Sequence, residues 1–101
     1  MSTMPQIVVS AKATRDLKKI REYLLQFNVE AAQRAAATII ETTNMLLNYP
    51  LLGKPLEDMP EYRELIRPFG AGAYVIRYRI GFDVIIIVGI KHSKEKACYS
   101  L

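Results

Sequence analysis

Ala73-Tyr74-Val75-Ile76-Arg77-Tyr78-Arg79-Ile80, then Gly81-Phe82-Asp83, then Val84-Ile85-Ile86-Ile87-Val88-Gly89-Ile90-Lys91: two runs rich in β-branched and aromatic residues flank a short break. This composition predicts two strands joined by a tight turn. Side chains of a strand alternate between its faces. Tyr74, Ile76, Tyr78 and Ile80 share one face of the first run, and Val75, Arg77 and Arg79 the other. In the second run Val84, Ile86, Val88 and Ile90 fall on one side, yet Ile85 and Ile87 on the other are apolar too. A strand apolar on both faces wants cover on both.

Upstream, residues 62–67 form a third strand-like run, in which Arg63, Leu65 and Arg67 line up together. Pro68, Gly70 and Gly72 separate it from the next. Residues 51–60 hold Gly53, Pro55 and Pro60 and read as a loop. Before that loop the period changes. Ala13, Leu17, Ile20, Leu24 and Phe27 recur in steps of four and three, which predicts a helix over 13–27 with Asn28 as its stop. A second helix is predicted over 30–48, with Ala32, Ala36, Ile39, Thr43, Leu46 and Leu47 on its stripe. Pro50 ends it. So few residues join the helices that an antiparallel hairpin is expected. At the start, Gln6-Ile7-Val8-Val9 reads as a short strand, and Ser10 can cap the helix that follows.

The order β-α-α-β-β-β predicts an α+β domain, a helical hairpin packed on a small antiparallel sheet. All 101 residues are read as one domain. Two helices can cover one face of such a sheet. The other face needs the chain's own tail, a second copy or a partner, and the patch carrying Ile85 and Ile87 is the expected docking place.

Composition narrows the function classes. Half of the residues are hydrophobic, but no apolar run approaches the roughly 18 residues of a membrane helix. No membrane partner is expected. The first residues lack a signal-peptide pattern, so a cytoplasmic location is expected. Cys98 and His92 are the only cysteine and histidine, so a Cys/His metal site is not expected, and neither is a cofactor. The net charge is +4 and concentrates late: residues 61–101 hold seven Lys/Arg against four Asp/Glu. A basic half of the chain suggests an anionic partner, or simply a solvated face.

Arg63, Arg67, Arg77 and Arg79 could together form a basic surface on the sheet, since arginine offers a rigid fork for phosphate or carboxylate. They could equally be paired with Glu61, Glu64 and Asp83. His92 stands at a strand end beside Lys91 and Lys94, where it could exchange protons or serve structure alone. No Ser/His/Asp or Cys/His constellation and no phosphate-binding glycine loop is evident.

Taken in order, Ala13, Asp16-Leu17, Ile20 and Tyr23, then Ala31-Ala32, then Leu47, Pro50 and Gly53, then Tyr62-Arg63-Glu64-Leu65, then residues 74–80, then Ile86, Ile90 and His92 form a pattern. It resembles the ParE-type plasmid-stabilisation toxins of the RelE/ParE superfamily over about residues 6–96. The resemblance implies two helices on a small antiparallel sheet and an antitoxin whose segment wraps the toxin. ParE-type toxins act on DNA gyrase, whereas RelE-type toxins cut mRNA in the ribosome. The RNase branch typically reads Arg-x-x-Tyr in the strand before the tight turn. Here Val75 stands three residues before Tyr78. Gyrase inhibition is therefore the expectation, with target contacts at Arg77, Arg79, Lys91, His92 and Lys94 and antitoxin contacts at Arg63, Ile85 and Ile87. The alternatives are a ribosome-dependent endoribonuclease using Arg77 or Arg79 with His92, or a non-toxic member that only binds an antitoxin.

Overall fold

The computed structural model describes residues 6–93. Strand β1 (Gln6–Val9) leads into helix α1 (Ala11–Leu25), which is followed by α2 (Val29–Asn48), the two-residue β2 (Lys54–Pro55), β3 (Tyr62–Phe69), β4 (Gly72–Gly81) and β5 (Val84–His92). The sheet order is β1-β5-β4-β3-β2. The meander β3-β4-β5 is antiparallel, as its short connections require, while β1 joins β5 in parallel. The sheet is thus mixed, because the helical hairpin carries the chain back over one face before the meander begins.

Local chemistry sets the helix ends. The Ser10 hydroxyl accepts from the Ala13 amide at 3.0 Å and caps α1. Asn28 serves two helices: its amide donates to Leu24 O at 2.8 Å, closing α1, and its side chain accepts from Ala31 N at 3.2 Å, opening α2. Pro50 stands just past the last turn of α2, where a proline cannot continue the ladder.

The core lies between the hairpin and one face of the sheet. Tyr74, Ile76 and Tyr78 of β4 and Ile85, Ile87 and Ile90 of β5 pack there with Ala13, Ile20, Ala35, Ile39 and Leu46 of the helices. Burying each of these branched aliphatics contributes about 1.5–3 kcal/mol.

This placement corrects the expectation for Ile85 and Ile87. Each is only 1% exposed, and both face the helices, not an open side of the sheet. The reason is the register set by the β4–β5 turn, which places Ile85 and Ile87 opposite Ile80 and Tyr78 on the face of β4 that the helices cover; a β-bulge then follows. Tyr78 pairs with Ile87, but Arg77 pairs with Gly89, so Val88 has no partner of its own. One extra residue reverses the facing of everything after it. Ile90 thereby joins Ile85 and Ile87 on the core face, while Val84 and Ile86 lie on the outer one.

Candidate functional site

The sheet sorts its arginines. Arg63 and Arg67 pair across the strands with Tyr78 and Tyr74, which puts them on the helix side. Arg77 and Arg79 belong to the opposite alternation, on the outer face. The four arginines therefore do not make one basic surface, the first of the two arrangements open to them; they divide two and two, because β3 and β4 are in register with odd numbers opposite even ones.

On the outer face the Arg77 guanidinium donates through Nε and Nη2 to Glu64 Oε2 at 2.9 and 2.6 Å, directly across the strand pair. Arg79, on an exposed position, meets no carboxylate within ion-pair distance among the described residues, and neither does Lys91. Lys91 pairs with Val75 and so joins the same face. Apolar side chains surround these cations: Val8 is 45% exposed and Ile66 64%, with half-buried Val75, Val84 and Ile86 between them. An apolar face carrying unpaired cations suits an anionic partner that also brings apolar contacts.

His92 is on the other side. It pairs with Tyr74, and its Nε2 lies 2.9 Å from the Phe69 carbonyl oxygen. Its ring stands edge-on to Phe69 and Tyr74 at centroid separations of 6.3 and 5.1 Å. The residues named for RNA cleavage thus do not converge: Arg77 and Arg79 are outside, His92 inside. Of the expected target contacts, the structure brings Arg77, Arg79 and Lys91 together. Lys94 lies outside the described residues, as does Cys98.

The helix-side arginines hold backbone and helix. Arg67 pairs with Glu41 of α2. Arg63 Nη1 donates to the carbonyls of Gly53 at 2.6 Å and Leu51 at 3.3 Å. Beside it, the Tyr78 hydroxyl donates to Pro50 O at 2.7 Å and accepts from Gly53 N at 2.8 Å. Burial raises the pKa of this phenol above its ordinary 10.0, against smaller lowering effects from the Gly53 amide and the Arg63 charge, so it remains a donor. A Cβ on Gly53 would stand 2.7 Å from the Tyr78 ring and hydroxyl and 2.9 Å from Glu64 O. Arg63, Tyr78, Pro50 and Gly53 therefore form one clasp that ties the 49–53 loop to the sheet. Arg63, expected as an antitoxin contact, has its guanidinium engaged with the backbone of this loop.

Two further features were not visible from strand alternation. Asp16 is 4% exposed on α1, and its Oδ2 accepts from the Ile90 amide at 3.0 Å and from Lys12 Nζ at 2.9 Å. Its signal was a carboxylate within the apolar stripe, one turn from both Ala13 and Ile20; a buried carboxylate needs partners. The second is an open apolar groove of about 450 Å³ between the helices, lined by Leu17, Leu25, Val29, Ala32, Ala36 and Ile40 among others. No helix among the described residues is long and apolar enough to cross a membrane, and no cluster of His, Cys, Asp and Glu among them could hold a metal.

Comparison with known proteins agrees with this architecture. The family model described as the ParE toxin of type II toxin–antitoxin systems, parDE, matches residues 7–97. Two relatives from Caulobacter vibrioides are the toxins RelE3, 36% identical over 92% of this chain and 99% of the relative, and RelE2, 33% identical over 89% and 97%. A solved structure described as a chromosomal ParDE TA system from P. aeruginosa superposes with a TM-score of 0.72 at 26% identity, over 90% of this chain and 98% of that one. With the clasp, the helical hairpin and the five-stranded sheet in place, the chain belongs to the ParE toxin family of type II toxin–antitoxin systems.

Proposed function

We propose that this toxin acts by binding DNA gyrase through the outer face of its sheet, with Arg77, Arg79 and Lys91 as contacts, and that a cognate antitoxin neutralises it. The observation that carries the reading is the division of charge between the two faces. Cleaving a phosphodiester needs cations and a proton-transferring group converging on one phosphate. Arg79 and Lys91 share a face with no imidazole, while His92 is held on the helix side against the Phe69 carbonyl. Docking needs no such convergence; it needs charge beside apolar surface, as Arg79 has opposite Ile86 and Lys91 opposite Val75.

The ParDE relative supplies the case for an antitoxin partner. The buried Ile85 and Ile87 do not offer it a surface. Val8, Ile66 and Ile86 on the outer face do, and a segment covering them would lie across Arg79 and Lys91. Neutralisation is then occlusion of the target-binding face.

Relatives named RelE make mRNA cleavage the reading to test against this one. Purified toxin is added to gyrase supercoiling reactions and, separately, to translating ribosomes. Loss of supercoiling with intact message, relieved by the antitoxin, is expected. Codon-phased mRNA cleavage without an effect on gyrase would replace the proposal with the endoribonuclease.

A further inference from the structure

Strand β1 accompanies β5 only as far as Val9 opposite Ile87, and the Ser10 amide makes the last backbone bond, to Ile87 O at 3.0 Å. There the chain turns into α1. Past Ile87 the edge of β5 has lost its strand neighbour, just where the bulge inserts Val88. The backbone groups left over need partners, because an orphaned buried amide is costly. Two side chains of the α1 region supply them. Ser10 Oγ donates to Val88 O at 3.4 Å, and Asp16 Oδ2 accepts from Ile90 N at 3.0 Å. Lys12, one turn before Asp16, pairs with the same carboxylate oxygen.

The bulge decides which residues end on which face. Continued regularly from the β4–β5 turn, the ladder would oppose Arg77 to Val88, Ile76 to Gly89, Val75 to Ile90 and Tyr74 to Lys91. Lys91 would then point into the core side, and Ile90 and His92 would emerge on the outer face. The observed register does the opposite: Ile90 is fully buried, Lys91 stands with Arg77 and Arg79, and His92 is inside.

We infer that Asp16 is a positioning residue: by accepting the Ile90 amide it fixes the phase of β5 beyond the bulge, and so assigns Lys91 to the target-binding face and His92 to the helix side. The consequence for target binding rests on the outer-face reading given above; the assignment of faces does not. The carboxylate suits this role because an acidic acceptor makes a stronger bond to a backbone amide than a neutral one, and because Lys12 keeps its charge compensated. Burial of Ile90 favours the same phase, and Asp16 adds the polar half of the specification.

The test is made on the full chain. In Asp16→Leu the Ile90 amide should exchange about ten- to hundredfold faster, the effect of losing a charge-assisted bond. The same variant should lose acylation of Lys91 and gain carbethoxylation of His92, both read by mass spectrometry. Asp16→Asn keeps a side-chain acceptor and should leave both modification levels at the parent value. Deleting Val88 removes the extra residue while keeping Ile90 inside, so in that background Asp16→Leu should no longer alter the modification of Lys91 or His92. A folded Asp16→Leu chain with the parent pattern would overturn the inference. So would failure of Asp16→Leu to fold in both backgrounds, since Asp16 would then serve the core irrespective of the bulge. Supercoiling inhibition is measured in parallel. A changed modification pattern in a protein that never affects gyrase sustains the positioning role and sinks the gyrase reading; an unchanged pattern in a gyrase inhibitor does the reverse.

Discussion

Replacing Tyr78 by Phe removes one oxygen and disconnects a loop. The hydroxyl bridges Pro50 O and Gly53 N, at 2.7 and 2.8 Å, from a side chain that is otherwise wholly in the core. Phenylalanine fills the same space, so no cavity term enters. The Gly53 amide is left buried without its acceptor, at about 1–3 kcal/mol. The Pro50 carbonyl is nearer solvent and can take a water, so its loss is about 0.5–1.5 kcal/mol. The expected destabilisation is about 1.5–4.5 kcal/mol, at about 4–8 °C in Tm per kcal/mol for a domain of this size. Urea and thermal unfolding followed by circular dichroism would measure it. The dependence on pH is a second signature. Folding raises the phenol's pKa above 10.0, so its contribution is whole below that value and is lost as pH rises through the raised one. The gap between the parent and Tyr78→Phe should therefore narrow in alkali. A loss under about 0.5 kcal/mol, within the range of ordinary surface changes, would refute the clasp as a stabilising unit.

Other changes probe the same geometry and the proposed function. Gly53→Ala forces a Cβ to within 2.7 Å of Tyr78 and should cost about 1–3 kcal/mol by denaturation, more than an alanine in an open turn. Arg63→Lys keeps the charge but shortens the side chain whose Nη1 reaches both Gly53 O and Leu51 O; about 1 kcal/mol of stability should go, with supercoiling inhibition per folded molecule unchanged. Arg79→Glu reverses an outer-face cation that has no carboxylate partner among the described residues and should weaken gyrase inhibition about tenfold or more without lowering Tm. His92→Gln should leave that inhibition intact, because the imidazole is on the other face.

Much of the fold is legible because its signals are local. Steps of three and four place Ala13, Leu17, Ile20 and Leu24 on one helical face whatever the rest of the chain does. Ser10 and Pro50 mark the helix boundaries through bonds made or refused within a turn. The alternation of β4 survives unchanged: Tyr74, Ile76 and Tyr78 are inside, Arg77 and Arg79 outside. What sequence order does not supply is the neighbour across space. Gly53 reads as turn chemistry, yet its decisive constraint is a tyrosine hydroxyl 25 residues away. Arg63 and Arg67 share a face with each other but not with Arg77 and Arg79, and only the register of β3 on β4 reveals it.

The candidate site turns on a single inserted residue. A strict period of two groups Ile90 with Val84 and Ile86 because it assumes that β5 is regular from end to end, and with that grouping the inner face is assigned to the wrong set. Two signals argued otherwise. Gly89 interrupts a run of branched aliphatics, and an isolated glycine in a strand often marks a bulge. Asp16 sits in the apolar stripe of α1, where a carboxylate has no business unless something buried needs an acceptor. Neither signal names its partner, but they answer each other: the irregular strand exposes an amide, and the misplaced carboxylate accepts it. With that pair recognised, the doubly apolar strand resolves into an inner set of Ile85, Ile87 and Ile90 and an outer set of Val84 and Ile86. The outer set is then what lies beside Arg79 and Lys91. A partner that recognises this face must supply apolar contacts and negative charge together, and it cannot reach His92 from the side on which it docks.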